Sequence, residues 1–152
     1  MLNSEVKEKA IEVISRILSE SAFIFTDPLE EDEQPNVEEW DAEGVFLGFR
    51  GYCEGKIYMW AGKEFLRYAA ANMLGIDEES DEASEKGMDA LKEILNIIVG
   101  NLLTTVYGPE PVFDLGIPGR LSPEEIRDGF NDENAIWLQA EGNPVLFLVD
   151  IK

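Results

Sequence analysis

The stretch DALKEILNIIVGNLLTTVY, residues 89 to 107, constrains the fold more than any other. Leu91, Ile94, Leu95, Ile98 and Leu102 recur three and four residues apart, which gathers them on one side of a helix turning about 100° per residue. That side is apolar enough to be core, so the rest of the chain must supply a surface for it to pack on. On the opposite side Asp89, Glu93, Asn96, Gly100, Thr104 and Tyr107 fall within one narrow stripe. Glu93 and Asn96 project together from it.

Spacing alone leaves two readings of that stripe open. An ordinary amphipathic helix also turns a polar edge to water, and short polar patterns recur easily. Against this, the stripe is sparse in charge and contains Gly100, unlike the Glu- and Lys-rich outer face of residues 4–22. A mid-helix asparagine also carries a modest propensity cost that asks for a reason.

Elsewhere, Val6, Ala10, Val13, Ile14, Ile17 and Leu18 predict an amphipathic helix over 4–22, with Ser4 as its N-cap. AFIFT reads as a short strand and the acidic DPLEEDEQPN as a loop. EGVFLGFRGYCEGKIYMWA holds two β-rich runs around a glycine-containing turn, the pattern of a hairpin. GKEFLRYAAANML predicts a second helix stopped by Gly75. The acidic DEESDEASEKG links it to the third, Met88 to about Tyr107, and puts negative charge at the favourable end of that helix's dipole. PEPVFDLGIPG should be extended, SPEEIRDGF a short turn of helix, and AIWLQAEGNPVLFLVDI a closing hairpin around Gly142, Asn143 and Pro144. Helices and hairpins mix without βαβ alternation. The expectation is an α+β fold, an antiparallel sheet of hairpins packed against long helices, in one domain over residues 1–152.

Composition removes several kinds of chemistry. Twelve Lys and Arg against 32 Asp and Glu give a net charge of −20. That argues against nucleic acid and anionic membranes as partners, since both are bound by clustered basic residues. It suits a partner that presents lysines. The chain has no histidine, so Ser-His-Asp and Cys-His catalysis are excluded, as are imidazole-based zinc sites. Cys53 is the only cysteine and reads as inert rather than as a nucleophile. No run of eighteen apolar residues suggests a membrane span, and the charged N-terminus does not read as a signal peptide, so a cytoplasmic protein without membrane insertion is expected. DEESDEASE lacks the glycine-turned spacing of a calcium loop and reads as solvated surface, which makes a metal-dependent hydrolase the weakest option. Trp40, Trp60 and Trp137 read as core or sheet-face residues.

The run Asp89-Ala-Leu-Lys-Glu93-Ile-Leu-Asn96 resembles the signature of the CheX and CheC type chemotaxis phosphatases: Asp or Ser, three residues, Glu, two residues, Asn, and a later Pro. Pro118 follows Asn96 after 21 residues, one short of the family's usual spacing. The resemblance is densest over 88–119, and length and element order resemble CheX across most of the chain. CheC-type members carry two copies of the signature, and here there is one. After Ser4 and Glu8, Ile11 stands where Asn should be, and Asn72 follows Ala69 rather than Glu. A single site resembles CheX, whose members are typically homodimers joined through their sheets.

The resemblance implies a phosphatase acting on the aspartyl phosphate of a CheY-type response regulator. Such a phosphate is already activated, so its hydrolysis needs an oriented water more than a strong base. The Asn96 carboxamide has both donors and an acceptor with which to hold that water. Glu93, repelled by phosphate, suits a lysine beside the partner's phosphorylation site. Asp89 and Pro118 are then supporting residues, and Gly100 serves either close approach of the partner or packing. This chain binds no cofactor on this reading; Mg2+ belongs to the regulator. The alternative is a non-catalytic CheC-like adaptor that docks a response regulator or a flagellar-switch component.

Overall fold

The helix of residues 4–22 forms as its periodicity requires, but its cap is one residue earlier. In a computed structural model that describes residues 3–122, 124–125 and 133–151, α1 spans Ser4–Ala22. Asn3 caps it, its Oδ1 accepting the Val6 N–H at 2.8 Å, so Ser4 is the first helical residue instead of the N-cap. Asparagine caps as well as serine, and position 3 keeps the extended backbone a cap needs. AFIFT contributes little to the sheet: its first residues close α1, and β1 covers only Thr26–Pro28.

The central hairpin is β2 (Ala42–Gly51) and β3 (Gly55–Gly62), and α2 (Lys63–Leu74) follows β3 directly. Gly75 ends α2 in the left-handed conformation, as expected. The third helix, α3, spans Asp81–Tyr107 and so begins well before Met88. The Ser80 hydroxyl accepts the Ala83 N–H, Asp81 and Glu82 occupy the favoured first turn, and Ala83 and Gly87 are buried. Most of the acidic linker, from Asp81 on, is therefore helix, because its small residues pack while its carboxylates face water.

Beyond α3 come β4 (Phe113–Leu115) and β5 (Gly119–Arg120), then the hairpin β6 (Ala135–Ala140) and β7 (Asn143–Ile151). The turn between β6 and β7 is Glu141–Gly142, both at positive φ, so Asn143 and Pro144 already pair on β7. The turn of helix expected at SPEEIRDGF lies for the most part outside the described residues.

All described pairings are antiparallel, in the order β1-β6-β7-β3-β2-β4, with β5 also on β2. One sheet face carries Val45, Leu47, Ile57, Met59, Ile136, Leu138, Val145 and Phe147, buried together with the inner sides of the helices. The other carries Trp60 and Leu146 with Trp40, Phe46, Tyr58, Trp137 and Leu148 packed around them, so the tryptophans are sheet-face residues. Within the helix layer α3 packs on both α1 and α2, and reaches β2 beneath. Leu91, Ile94, Leu95, Ile98 and Leu102 are buried, each worth about 1.5–3 kcal/mol. This is the predicted α+β architecture, and the predicted core face of α3 is the observed one.

Candidate functional site

With its apolar side on the sheet and α1 and α2 flanking it, α3 has one side left for solvent. Asp89 and Glu93 are exposed on it, and Asn96 and Gly100 are half-buried. The structure thus brings three of the four sequence-predicted site residues onto one face of one helix. No ion pair among the described residues engages either carboxylate.

Asn96 differs from the other helical asparagines in what its side chain does. The Asn72 Nδ2 donates to the Ala22 carbonyl and the Asn101 Nδ2 to the Ile97 carbonyl, each at 2.8 Å. Those two amides are held by backbone. Among the described residues the Asn96 carboxamide has no protein partner, so both its donors and its acceptor face outward. A half-buried, fixed helix position with a free carboxamide is suited to holding a water at a defined place.

Gly100 lies one turn beyond Asn96. A Cβ built there meets nothing within 4 Å, so packing does not require the glycine. Thr104 is exposed, its hydroxyl donating to the Gly100 carbonyl at 3.2 Å.

The stripe does not extend to Tyr107. That ring packs against Tyr52 and Phe113, each with centroids 5.6 Å away, and closes the end of the helix. Burial, with a hydrogen bond to Cys53, pushes its phenol up to about 12. Cys53 is half-buried there, without a catalytic partner set. Pro118 lies in the link between β4 and β5, along the edge of β2, and among the described residues no hydrogen bond joins it to Glu93 or Asn96.

Among the described residues no group of three or more Cys, Asp or Glu side chains is placed to hold a metal ion, and no helix is long and apolar enough to cross a membrane. A groove of about 650 Å³ lies on the far face of the sheet, between Phe46, Tyr58 and Ile117, and Asp89, Glu93 and Asn96 do not line it. An exposed helix face fits a macromolecular surface better than a small substrate, which concave sites bind.

Sequence comparison matches residues 44–136 to the family described as chemotaxis phosphatase CheX. No curated protein matches. Among solved structures, the CheX–CheY–BeF3–Mg2+ complex from Borrelia burgdorferi aligns at 21% identity over 97% of this chain and 97% of that chain, with a TM-score of 0.68. CheX from Vibrio vulnificus aligns at 15% identity over 98% and 100%, TM-score 0.71. A putative chemotaxis protein from Desulfovibrio vulgaris Hildenborough aligns at 20% identity over the whole of both chains, TM-score 0.70. At these identities the structural matches show the shared fold.

Proposed function

Because the chain belongs to the CheX family of chemotaxis phosphatases, we propose that the exposed face of α3 hydrolyses the aspartyl phosphate of a CheY-type response regulator. The observation that carries this is the free carboxamide of Asn96, three residues from an unpaired Glu93 on the same face. In the Borrelia complex the partner is a CheY with BeF3, a mimic of a phosphoryl group, and Mg2+. By analogy the regulator brings its own Mg2+ here.

In the proposed step Asn96 holds a water in line with the phosphorus. The water oxygen bonds to phosphorus as the bond from phosphorus to the aspartate oxygen breaks. The products are the regulator's carboxylate and inorganic phosphate, which takes up the water's protons in equilibrium with solvent. Glu93 meets a lysine beside the phosphorylation site and fixes the approach of the helix. Asp89 stands one turn earlier as a peripheral contact, and Pro118 shapes the β4–β5 link. The bare position at Gly100 leaves room for the regulator's backbone.

The decisive experiment follows the half-life of a phosphorylated regulator with wild type and with Asn96→Ala. The variant should fold normally, bind the regulator and fail to shorten the half-life. An Asn96→Ala protein as active as wild type would overturn the mechanism. A wild type that binds without shortening the half-life would make the protein an adaptor.

A further inference from the structure

A second surface lies at the end of the helix layer nearest the start of α3. Phe23 and Phe25 are each 65% exposed there, and Leu74 52%. Three links draw that end together. The Asn72 Nδ2 donates to the Ala22 carbonyl, joining the ends of α2 and α1. The Glu141 N–H donates to the Phe25 carbonyl, and the Glu141 carboxylate beside Tyr68 raises the pKa of its phenol.

Neither phenylalanine is in the core, and Phe23 costs the fold more than it returns. Phe23 caps α1 in the left-handed conformation at φ 55, where a side chain crowds its own backbone. At the matching position α2 has Gly75, the residue such caps favour. Phe23 therefore burdens α1 with strain, and its exposure returns little burial. A bulky aromatic kept in a strained, exposed position points to a role outside folding.

The charge around the patch selects the occupant. Glu20, Asp27, Asp77, Glu79 and Glu141 are exposed at this end, and its cations Arg16 and Arg67 already lie beside Glu20 and Glu79. A second copy of a chain with net charge −20 would set one acidic rim against another, and an anionic bilayer is repelled in the same way. We propose that Phe23 and Phe25 are the apolar anchors of a docking surface for a basic, amphipathic segment of a partner protein. Its lysines or arginines face the acidic rim. The surface is separate from the Glu93–Asn96 face and does not depend on the phosphatase reading.

The test titrates the full chain with an amphipathic leucine–lysine peptide and, in parallel, with its serine–lysine counterpart, followed by amide NMR and calorimetry. The leucine–lysine peptide should shift the amides of Phe23, Phe25 and Leu74 and bind about tenfold tighter than the control. A Phe23→Gly, Phe25→Ser double variant should bind both peptides alike while melting no lower than wild type, since glycine relieves the cap. Asn96→Ala should bind like wild type whatever its effect on dephosphorylation. Absent binding, shifts centred on α3 near Asn96, or a double variant that keeps the preference would overturn the proposal. So would variant-sensitive self-association, or variant-sensitive binding to phosphatidylcholine vesicles without peptide discrimination.

Discussion

Gly87 and Gly100 share one helix and meet opposite surroundings. A Cβ at position 87 would stand 2.9 Å from the Leu66 Cβ, so the missing side chain is what lets α2 close on α3. A Cβ at position 100 would meet only open space, and the backbone there is ordinary right-handed helix. Glycine in such a place costs about 0.5–1 kcal/mol relative to alanine. Gly100→Ala should therefore stabilise the protein by about that amount in urea denaturation. Gly87→Ala should destabilise it by about 1–3 kcal/mol through overpacking. If the regulator docks over Gly100, stability and activity part company: Gly100→Leu stays folded yet loses most of its effect on phospho-regulator half-life. Full activity in Gly100→Leu would place the partner elsewhere.

Glu93 is exposed and has no partner among the described residues, so the energy it contributes belongs to an encounter with another molecule. An exposed ion pair contributes about 0.2–1 kcal/mol, and a hydrogen bond to a charged group about 1.5–3 kcal/mol. A docked Glu93–lysine contact lies between these, so Glu93→Ala should weaken binding of a BeF3-activated regulator roughly fivefold to thirtyfold by calorimetry. Folding stability should hardly change. The wild-type affinity should fall with added salt more steeply than the variant's. Equal affinities would remove the lysine contact.

Where periodicity and caps dominate, the sequence predicts this fold well. The core face of α3, the β2–β3 hairpin and the Gly75 stop are all local consequences of side-chain spacing. The start of α3 is not legible from spacing, because DEASEKG carries charge on its exposed side and buries only Ala83 and Gly87, too small to show as a hydrophobic stripe. AFIFT is a short apolar run that reads as a strand, yet Phe23 closes a helix, a tertiary outcome that composition does not encode. The site was half legible. Spacing put Asp89, Glu93 and Asn96 on one face, but whether the Asn96 amide was bound to a carbonyl, as those of Asn72 and Asn101 are, required coordinates. So did the open space at Gly100 and the capture of Tyr107 by an aromatic cluster.

That cluster gives a pH dependence of definite sign. Tyr107 ionises at about 12 in the folded chain against 10.0 ordinarily. Above pH 10 the unfolded state loses the proton first, so stability is intact below 10 and falls as pH rises toward 12. Tyr107→Phe has no proton to lose and should show a shallower decline across that window. Denaturant titrations at pH 9 and near pH 11.5 in both proteins make the comparison. Parallel declines would mean the phenol is not what titrates.

The β4 edge bears on self-association. β4, β5 and the Gly116 and Leu121 N–H groups cover β2 from Gly44 to Gly51, so the outer side of the 113–121 segment is the sheet edge, and Val112 is 78% and Ile117 90% exposed on it. An apolar sheet edge is a template for pairing with another chain. The opposite edge is β1, three residues long and ending at Pro28, which donates no backbone hydrogen bond. Charge is more balanced on the β4 side: Arg50, Lys56 and Arg120 lie on the strands there beside Asp114 and Glu43, the latter paired with Arg120, whereas the Phe23 end is ringed by carboxylates. A homodimer should therefore form through β4 and β5. Two chains of net charge −20 repel at long range, so light scattering should show the dimer tightening as salt is added. Ile117→Lys, which puts a charge on the edge, should give a folded monomer. A wild type that stays monomeric at every salt concentration would remove the dimer, and a dimeric Ile117→Lys would move the contact to another face.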